Sequence, residues 1–265
     1  MERNYSFKEV MNVDEITHFK NEWLSSLTSP QDGMWESFRN NAVNWGIVCE
    51  HEMIGYASVG EGNQLLQFYI SPKYLSQGEL IFKEFINKMK IKTGIVGTNN
   101  LIYLSIAVNF VKKLSVNTYL FRNNYEVNIE EKEGILKECQ NEDIERIVNF
   151  CHYSMGAPKE WLVGYIGGLI EKKEIFSFED KDEIIGTCEI RKSTTAIGFA
   201  DIGMVVSPDF RRKGYGTYLN RAKKIALKWG KTPICSCEKD NIGSVKSIQN
   251  CGFVSMYQLL SISFN

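Results

Sequence analysis

VVSPDFRRKGYGTYL, residues 205–219, is the stretch from which the fold can be read. Val205 and Val206 close an apolar run that begins near Ile197, and Ser207-Pro208 breaks it. Three cations follow, Arg211, Arg212 and Lys213, and then Gly214 and Gly216 flank Tyr215. A helical pattern continues to Trp229. A strand, a basic loop and a helix start are therefore predicted in that order. Glycine lets a ligand approach the backbone. Helix-start amides lack partners inside the helix, and the partial positive charge there attracts anions. Arginine donates paired hydrogen bonds to phosphate oxygens. The combination predicts a polyphosphate site formed by Arg211, Arg212, Lys213, Gly214, Tyr215, Gly216 and Thr217. The plainer alternative is a glycine turn beside solvated cations, and the ordered combination favours the phosphate site. No Walker loop is present, and Leu219 stands where a dinucleotide fingerprint needs its third glycine.

This segment resembles the acetyl-CoA motif of the GNAT superfamily of N-acyltransferases, [RQ]-x-x-G-x-[GA] after a strand, at Arg211, Gly214 and Gly216. A second block, DNIGSVKSIQNCGF at residues 240–253, resembles the family's downstream N-x-x-[AS] helix ending in G-[FY], at Asn241, Ser244 and Gly252-Phe253. The resemblance covers residues 135–265 well and the first half faintly. It implies an α/β (α+β) fold with a mixed, mostly antiparallel sheet flanked by helices. It also implies an acyltransferase using acetyl-CoA, with a primary amine as acceptor.

Composition fits a folded protein. Of 265 residues, 43% are hydrophobic and 24% charged, enough for a sizeable core. The formal net charge of −1 gives no field to gather nucleic acid or an anionic membrane, so neither is expected as a partner. A near-neutral chain favours a small-molecule amine as acceptor. The seven cysteines are scattered and the three histidines lie far apart, so no metal-ligand spacing appears. Reduced, buried thiols in a cytoplasmic protein are expected. The first ten residues, MERNYSFKEV, lack the apolar core of a signal peptide, and no run is long enough to span a membrane.

In chain order, residues 1–45 read as mostly helical, with Asp14 as a cap and Trp35, Phe38, Ala42 and Trp45 as a core stripe. Strands are predicted at 46–50, 53–59, 65–70, 95–96 and 116–121, with helices at 78–89 and 100–112. The second half predicts helices at 143–152 and 158–171 and strands at 174–178, 183–191 and 197–206. The motif helix at 214–229, a strand at 233–237, a helix at 242–250 and a strand at 253–263 complete it. The halves repeat each other. Ile54-Gly55 recurs as Ile185-Gly186, an offset of 131, and Ser71-Pro72 as Ser207-Pro208, an offset of 136 that also carries Gly78 onto Gly214. Two copies of one unit follow, residues 1–125 and 126–265. In the first copy Leu75 stands opposite Arg211 and Leu80 opposite Gly216, so it is expected to offer a phosphate neither charge nor room. Scaffold is its plainest role, with a homodimer surface or a wall of the acceptor site as alternatives. The arrangement resembles GNAT enzymes with a degenerate N-terminal copy, such as the zwittermicin-resistance type.

The resemblance also assigns roles. Asn241 and Ser244 would face the pantetheine arm, and Asn241 would equally serve as a helix cap. A backbone amide near Val205-Val206 would polarise the thioester carbonyl. An alkyl amine has a pKa of about 10.4, so a base must take its proton. Asp201, in the apolar run GFADIGMVV, is the first candidate. Its alternative is a buried carboxylate paired with an arginine such as Arg191. Glu189 is the second candidate. Many family members place an acid tyrosine on the downstream helix, but Ile248 stands there, so no acid is assigned. Direct attack on the donor is expected, and a non-catalytic acyl-CoA sensor is the rival.

Overall fold

A computed structural model describes residues 4–130 and 132–264. The chain divides into two compact units, Met1–Tyr119 with Tyr257–Asn265, and Leu120–Met256. Each is a mixed, mostly antiparallel sheet with helices against it.

In the first unit, β1 (Tyr5–Glu9), β2 (Val43–Cys49), β3 (Glu52–Gly60) and β4 (Gln64–Ile70) form an antiparallel series. The start of β4 then runs parallel to β5 (Thr93–Gly97). Two helices, α1 (Thr17–Ser26) and α2 (Gly33–Asn40), lie between β1 and β2 in sequence. The helix α3 (Gly78–Lys88) joins β4 to β5, and α4 (Leu101–Ala107) follows β5. Phe68 of β4, Phe82 and Phe85 of α3 and Tyr103 of α4 fill one side of the sheet. On the other side, Trp23 and Phe19 of α1 cover Tyr56 and Tyr69. The strand β6 (Val111–Asn123) leads into the second unit.

The second unit contains β7 (Ile135–Glu138), α5 (Ile144–Met155), α6 (Lys159–Glu171), β8 (Ile175–Asp180), β9 (Glu183–Lys192) and β10 (Phe199–Val206). Then come α7 (Leu219–Lys228), β11 (Thr232–Glu238), α8 (Ile242–Asn250) and the start of β12 (Phe253–Phe264), whose residues from Tyr257 on belong to the first unit. β7 to β10 are antiparallel neighbours in sequence order, and β11 joins β10 in parallel. Ile147 and Val148 of α5 and Leu162 and Ile166 of α6 pack with Ile175. At the start of α7, Tyr218 stacks on Phe178 of β8, with ring centroids 4.8 Å apart.

Several expectations change. The segment before residue 45 is not wholly helical, because β1 pairs with β2 along Tyr5↔Cys49 to Glu9↔Trp45. Asn12, not Asp14, caps the first turn, its Oδ1 accepting from the Asp14 amide at 3.1 Å. Trp35 is buried but Phe38 is exposed, and Trp45 belongs to β2, so the aromatic stripe is broken by a change of period. The unit boundary falls at Leu120, and Tyr257–Asn265 returns to the first unit. The cause is strand pairing: β12 runs antiparallel to β5, with Leu259 opposite Gly97 and Ser263 opposite Thr93. All seven cysteines are buried free thiols. No described helix is long and apolar enough to cross a membrane.

Candidate active site

The site is built where β10 and β11 part. The Thr232 amide donates to the Gly198 carbonyl, which fixes the alternation along β10. Ala200, Ile202, Met204 and Val206 therefore turn their backbone groups towards β11, and Phe199, Gly203 and Val205 turn theirs towards β9. The parallel pairing ends at Asp201↔Ile234, although both strands continue. The amides of Met204 and Val206 thus line a gap between diverging strands. Residues 203–206 are half-buried, unlike the fully buried middle of β4.

The loop after β10 closes one end of the gap. Ser207 Oγ accepts from the Asp209 amide, and a 3-10 turn spans Pro208–Phe210. Arg212 and Gly214 both have left-handed backbones, at φ +63° and +85°, on either side of Lys213. Left-handed residues in a turn aim neighbouring N–H groups to one side, the arrangement an anion nest uses. Tyr215–Tyr218 forms a 3-10 turn before α7, shorter and later than the helix predicted from residue 214. The Thr217 hydroxyl donates to the Gly214 carbonyl at 2.9 Å and holds that turn.

The cations divide by task. Arg211 donates from Nη2 to the Ser154 carbonyl at 2.8 Å and from Nε to the Val206 carbonyl at 3.1 Å. It ties the end of α5 to the end of β10. Arg212 is exposed, and Lys213 sits 5.2 Å over the Phe210 ring. Tyr215 packs edge-on to Phe210. The two glycines differ as well. A side chain at Gly216 would strike Ser247 Oγ, so Gly216 serves close packing with α8. A side chain at Gly214 would meet only Lys132 Cε, at 3.3 Å. Lys132 is a cation beside the nest that sequence reasoning missed, since no motif includes it. Arg221 of α7 holds that segment through the Lys132 and Gly134 carbonyls.

Asn241 caps α8, with Oδ1 accepting from the Ser244 amide at 3.2 Å. Ser244 is half-buried on the first turn. Ile248 is a core residue, and the Tyr218 hydroxyl is buried, donating to the carbonyls of Thr187 and Val205. Val205 thereby faces β9, leaving Met204 and Val206 as the amides on the gap.

The candidate bases share one face of β9 and β10. Register places Asp201 opposite Arg191 and Gly203 opposite Glu189. Asp201 is buried, and Arg191 Nη2 meets its Oδ2 at 2.6 Å. The pairing of Asp201 with Arg191 that its alternative reading named is present. Glu189 Oε2 accepts from the Tyr165 hydroxyl of α6 at 2.7 Å and lies 3.5 Å from Arg191 Nε. Burial, and then the Glu189 charge, hold the Tyr165 phenol above its ordinary pKa, so it stays a donor.

Residues 12–124 match an acetyltransferase (GNAT) domain, and residues 135–253 match the acetyltransferase (GNAT) family. The chain is a tandem GNAT acetyltransferase. A GNAT-family acetyltransferase from Colwellia psychrerythraea is 27% identical, with a TM-score of 0.93 over 98% of this chain and 100% of that one. Two further structures share the fold. A GCN5-related N-acetyltransferase from Sphaerobacter thermophilus is 14% identical, with a TM-score of 0.67 over 98% of this chain and 95% of that one. A tandem GNAT protein of the clavulanic acid biosynthesis pathway, solved without AcCoA, is 12% identical, with a TM-score of 0.64 over 98% of both chains. No curated protein sequence matches the chain.

The first GNAT unit is built differently at the corresponding place. Leu75 and Leu80 are 41% and 50% exposed, so they do not plug it as expected. Leu75 instead lines a shallow apolar cavity of about 490 Å³ with Leu101, Ile102, Leu104, Ser105 and Val108. The plug is Tyr103. Its hydroxyl donates to the Leu65 carbonyl at 3.3 Å, beside Leu65↔Gly94, where β4 and β5 cease to pair. A side chain at Gly94 would meet that hydroxyl at 2.7 Å. Asn100 caps α4 through the Tyr103 amide as Asn241 caps α8 through the Ser244 amide, an offset of 141. Tyrosine thus stands in one unit where serine stands in the other. The loop differs too: Gly78 is right-handed and follows a 3-10 segment without a nest.

Proposed function

We propose that the second unit binds acetyl-CoA and transfers its acetyl group to a primary amine by direct attack in a ternary complex. The observation that carries this reading is the parting of β10 and β11 beside a left-handed turn at the start of α7. The residues present fit the coenzyme. The amides from Lys213 to Gly216 would hold the pyrophosphate, with Arg212 and Lys132 adding charge. The open gap beside Ser244 suits a narrow pantetheine arm, and Arg211 positions the loop. The coenzyme supplies an acetyl group activated as a thioester.

The chain's own groups account for the remaining steps. The amide of Met204 or Val206 orients the acyl carbonyl and donates to it. Glu189 is better placed than Asp201 to accept the ammonium proton, because Asp201 is committed to Arg191 while Glu189 remains partly accessible. No side chain is assigned as acid. Seven reduced thiols suit a cytoplasmic setting.

A thiol-release assay with acetyl-CoA against amino acids, polyamines, aminoglycosides and peptides tests the reading. Release that depends on one amine class is the expected result. The buried Ile248 at the family's acid position favours a second reading, a sensor that binds acyl-CoA without turnover. Coenzyme binding with no release across the panel would select that sensor.

A further inference from the structure

We infer that Lys20, Trp23, Arg39 and Tyr56, beneath α1 and α2 of the first unit, form a binding site for a small organic carboxylate. The inference concerns the first unit alone and stands whether or not the second transfers acetyl groups.

Unmet donors are the first argument. Trp23 Nε1, Arg39 Nε and the Tyr56 hydroxyl are buried, and none has a hydrogen-bond partner. Trp23 and Tyr56 are only 2% and 1% exposed, so bulk water does not serve them. The three belong to one packed group. Trp23 and Tyr56 share a core with Tyr69, and Arg39 Cζ stands 4.1 Å from the Trp23 ring centroid. Gln67 Nε2, on the same face of β4 as Tyr69, is a fourth buried donor without a partner. Proteins pair nearly all such groups, so several together mark a place made for an acceptor. Burial pushes the Tyr56 phenol up, so it keeps its proton to donate.

Charge is the second argument, and it decides what the acceptor is. Lys20 of α1 and Arg39 of α2 are neighbours: burial first, and the Arg39 charge second, hold the Lys20 ammonium below its ordinary pKa. Among the described residues, none gives either cation a hydrogen bond or an ion pair. The one carboxylate of α1, Glu22, is spent on the Tyr69 and Ser71 hydroxyls and on His18. Glu36 of α2 attracts Arg39 at longer range. A buried water would accept from the donors, yet leave Lys20 and Arg39 repelling each other. An anion answers both needs. Arg39 lies over the indole, which leaves the planar edge of its guanidinium to the two oxygens of a carboxylate. Phe19, Trp23 and Tyr69 give an organic body an apolar surround. The Lys20 and Arg39 side chains are half-buried, so a ligand enters from solvent along them.

Calorimetry and thermal scans of the full chain with sodium benzoate, neutral benzamide and inorganic phosphate test the site. Benzoate should bind about tenfold or more tighter than benzamide and should raise Tm. Arg39→Gln should weaken benzoate about tenfold or more, and Lys20→Gln severalfold. The Tm of each variant without ligand reports its folding; if Arg39→Gln does not fold, the half-buried Lys20→Gln decides. Benzoate should also move one of the five tryptophan indole N–H resonances, the one that Trp23→Phe deletes. Benzamide binding as tightly as benzoate, unaltered affinity in the folded variants, movement of a different indole alone, or no benzoate binding would each overturn the site. Phosphate binding tighter than benzoate would overturn the choice of carboxylate.

Discussion

Asp201 and Glu189 are similar carboxylates on neighbouring strands with opposite fates. Asp201 is buried against Arg191, and breaking such a pair strands the remaining charge. Asp201→Asn should therefore cost about 3–5 kcal/mol of stability. Urea unfolding will show this, and an unchanged midpoint would refute the structural role. Glu189→Gln should leave stability and coenzyme affinity near wild type while turnover falls roughly 10²–10⁴-fold. Steady-state kinetics beside calorimetry will separate the two. Sequence could nominate both residues but not rank them. The ranking depends on register, Asp201↔Arg191 and Gly203↔Glu189, which spacing along the chain does not fix.

At the scale of the element, a single position distinguishes α4 from α8. Tyr103 closes the first gap, and Ser244 leaves the second open. Ser244→Tyr should fold, yet lose about tenfold or more in coenzyme A affinity, because overpacking a gap costs about 1–3 kcal/mol. Unaltered affinity by calorimetry would place the pantetheine arm elsewhere. The helix α5 offers a test by pH. Asp143 accepts from the Gln140 amide and pairs with Arg146, and these partners, the amide first, hold its carboxyl below the ordinary carboxylate range. A depressed carboxylate contributes stability that is present above its unfolded pKa and lost as pH falls through the folded one. Asp143→Ala should thus lower Tm at pH 7, by the equivalent of about 1 kcal/mol, and match wild type once the carboxyl is protonated in strong acid. Thermal scans across the acid range will decide. The longer helices and central strands were legible from their periodicity, as was the loop between β10 and α7. β1 and β7 were not, being short strands whose alternation spans only Tyr5–Glu9 and Ile135–Glu138. The Asn100 and Asn241 caps were equally visible, but a repeat anchored on Ser-Pro and glycine stopped short of them.

Across the whole molecule, the tandem repeat was readable and the return of the final strand to the first unit was not. Offsets of 131 and 136 reveal two copies, but which unit holds the final strand depends on pairing between residues far apart in sequence. Removing residues 257–265 should therefore damage the first unit more than the second. Hydrogen exchange will register it as lost protection at Thr93–Gly97, with protection kept at Glu183–Lys192; the opposite pattern would contradict the pairing of β12 with β5.

That final strand also bears on how the protein is made. While a nascent chain grows, β5 waits without this antiparallel neighbour until residues 259–263 have been synthesised. An uncovered strand invites association with other chains. The N-terminal repeat is thus exposed to misassembly until that distant segment is made, and folding helpers that shield strand edges should matter more here than in a single-copy relative.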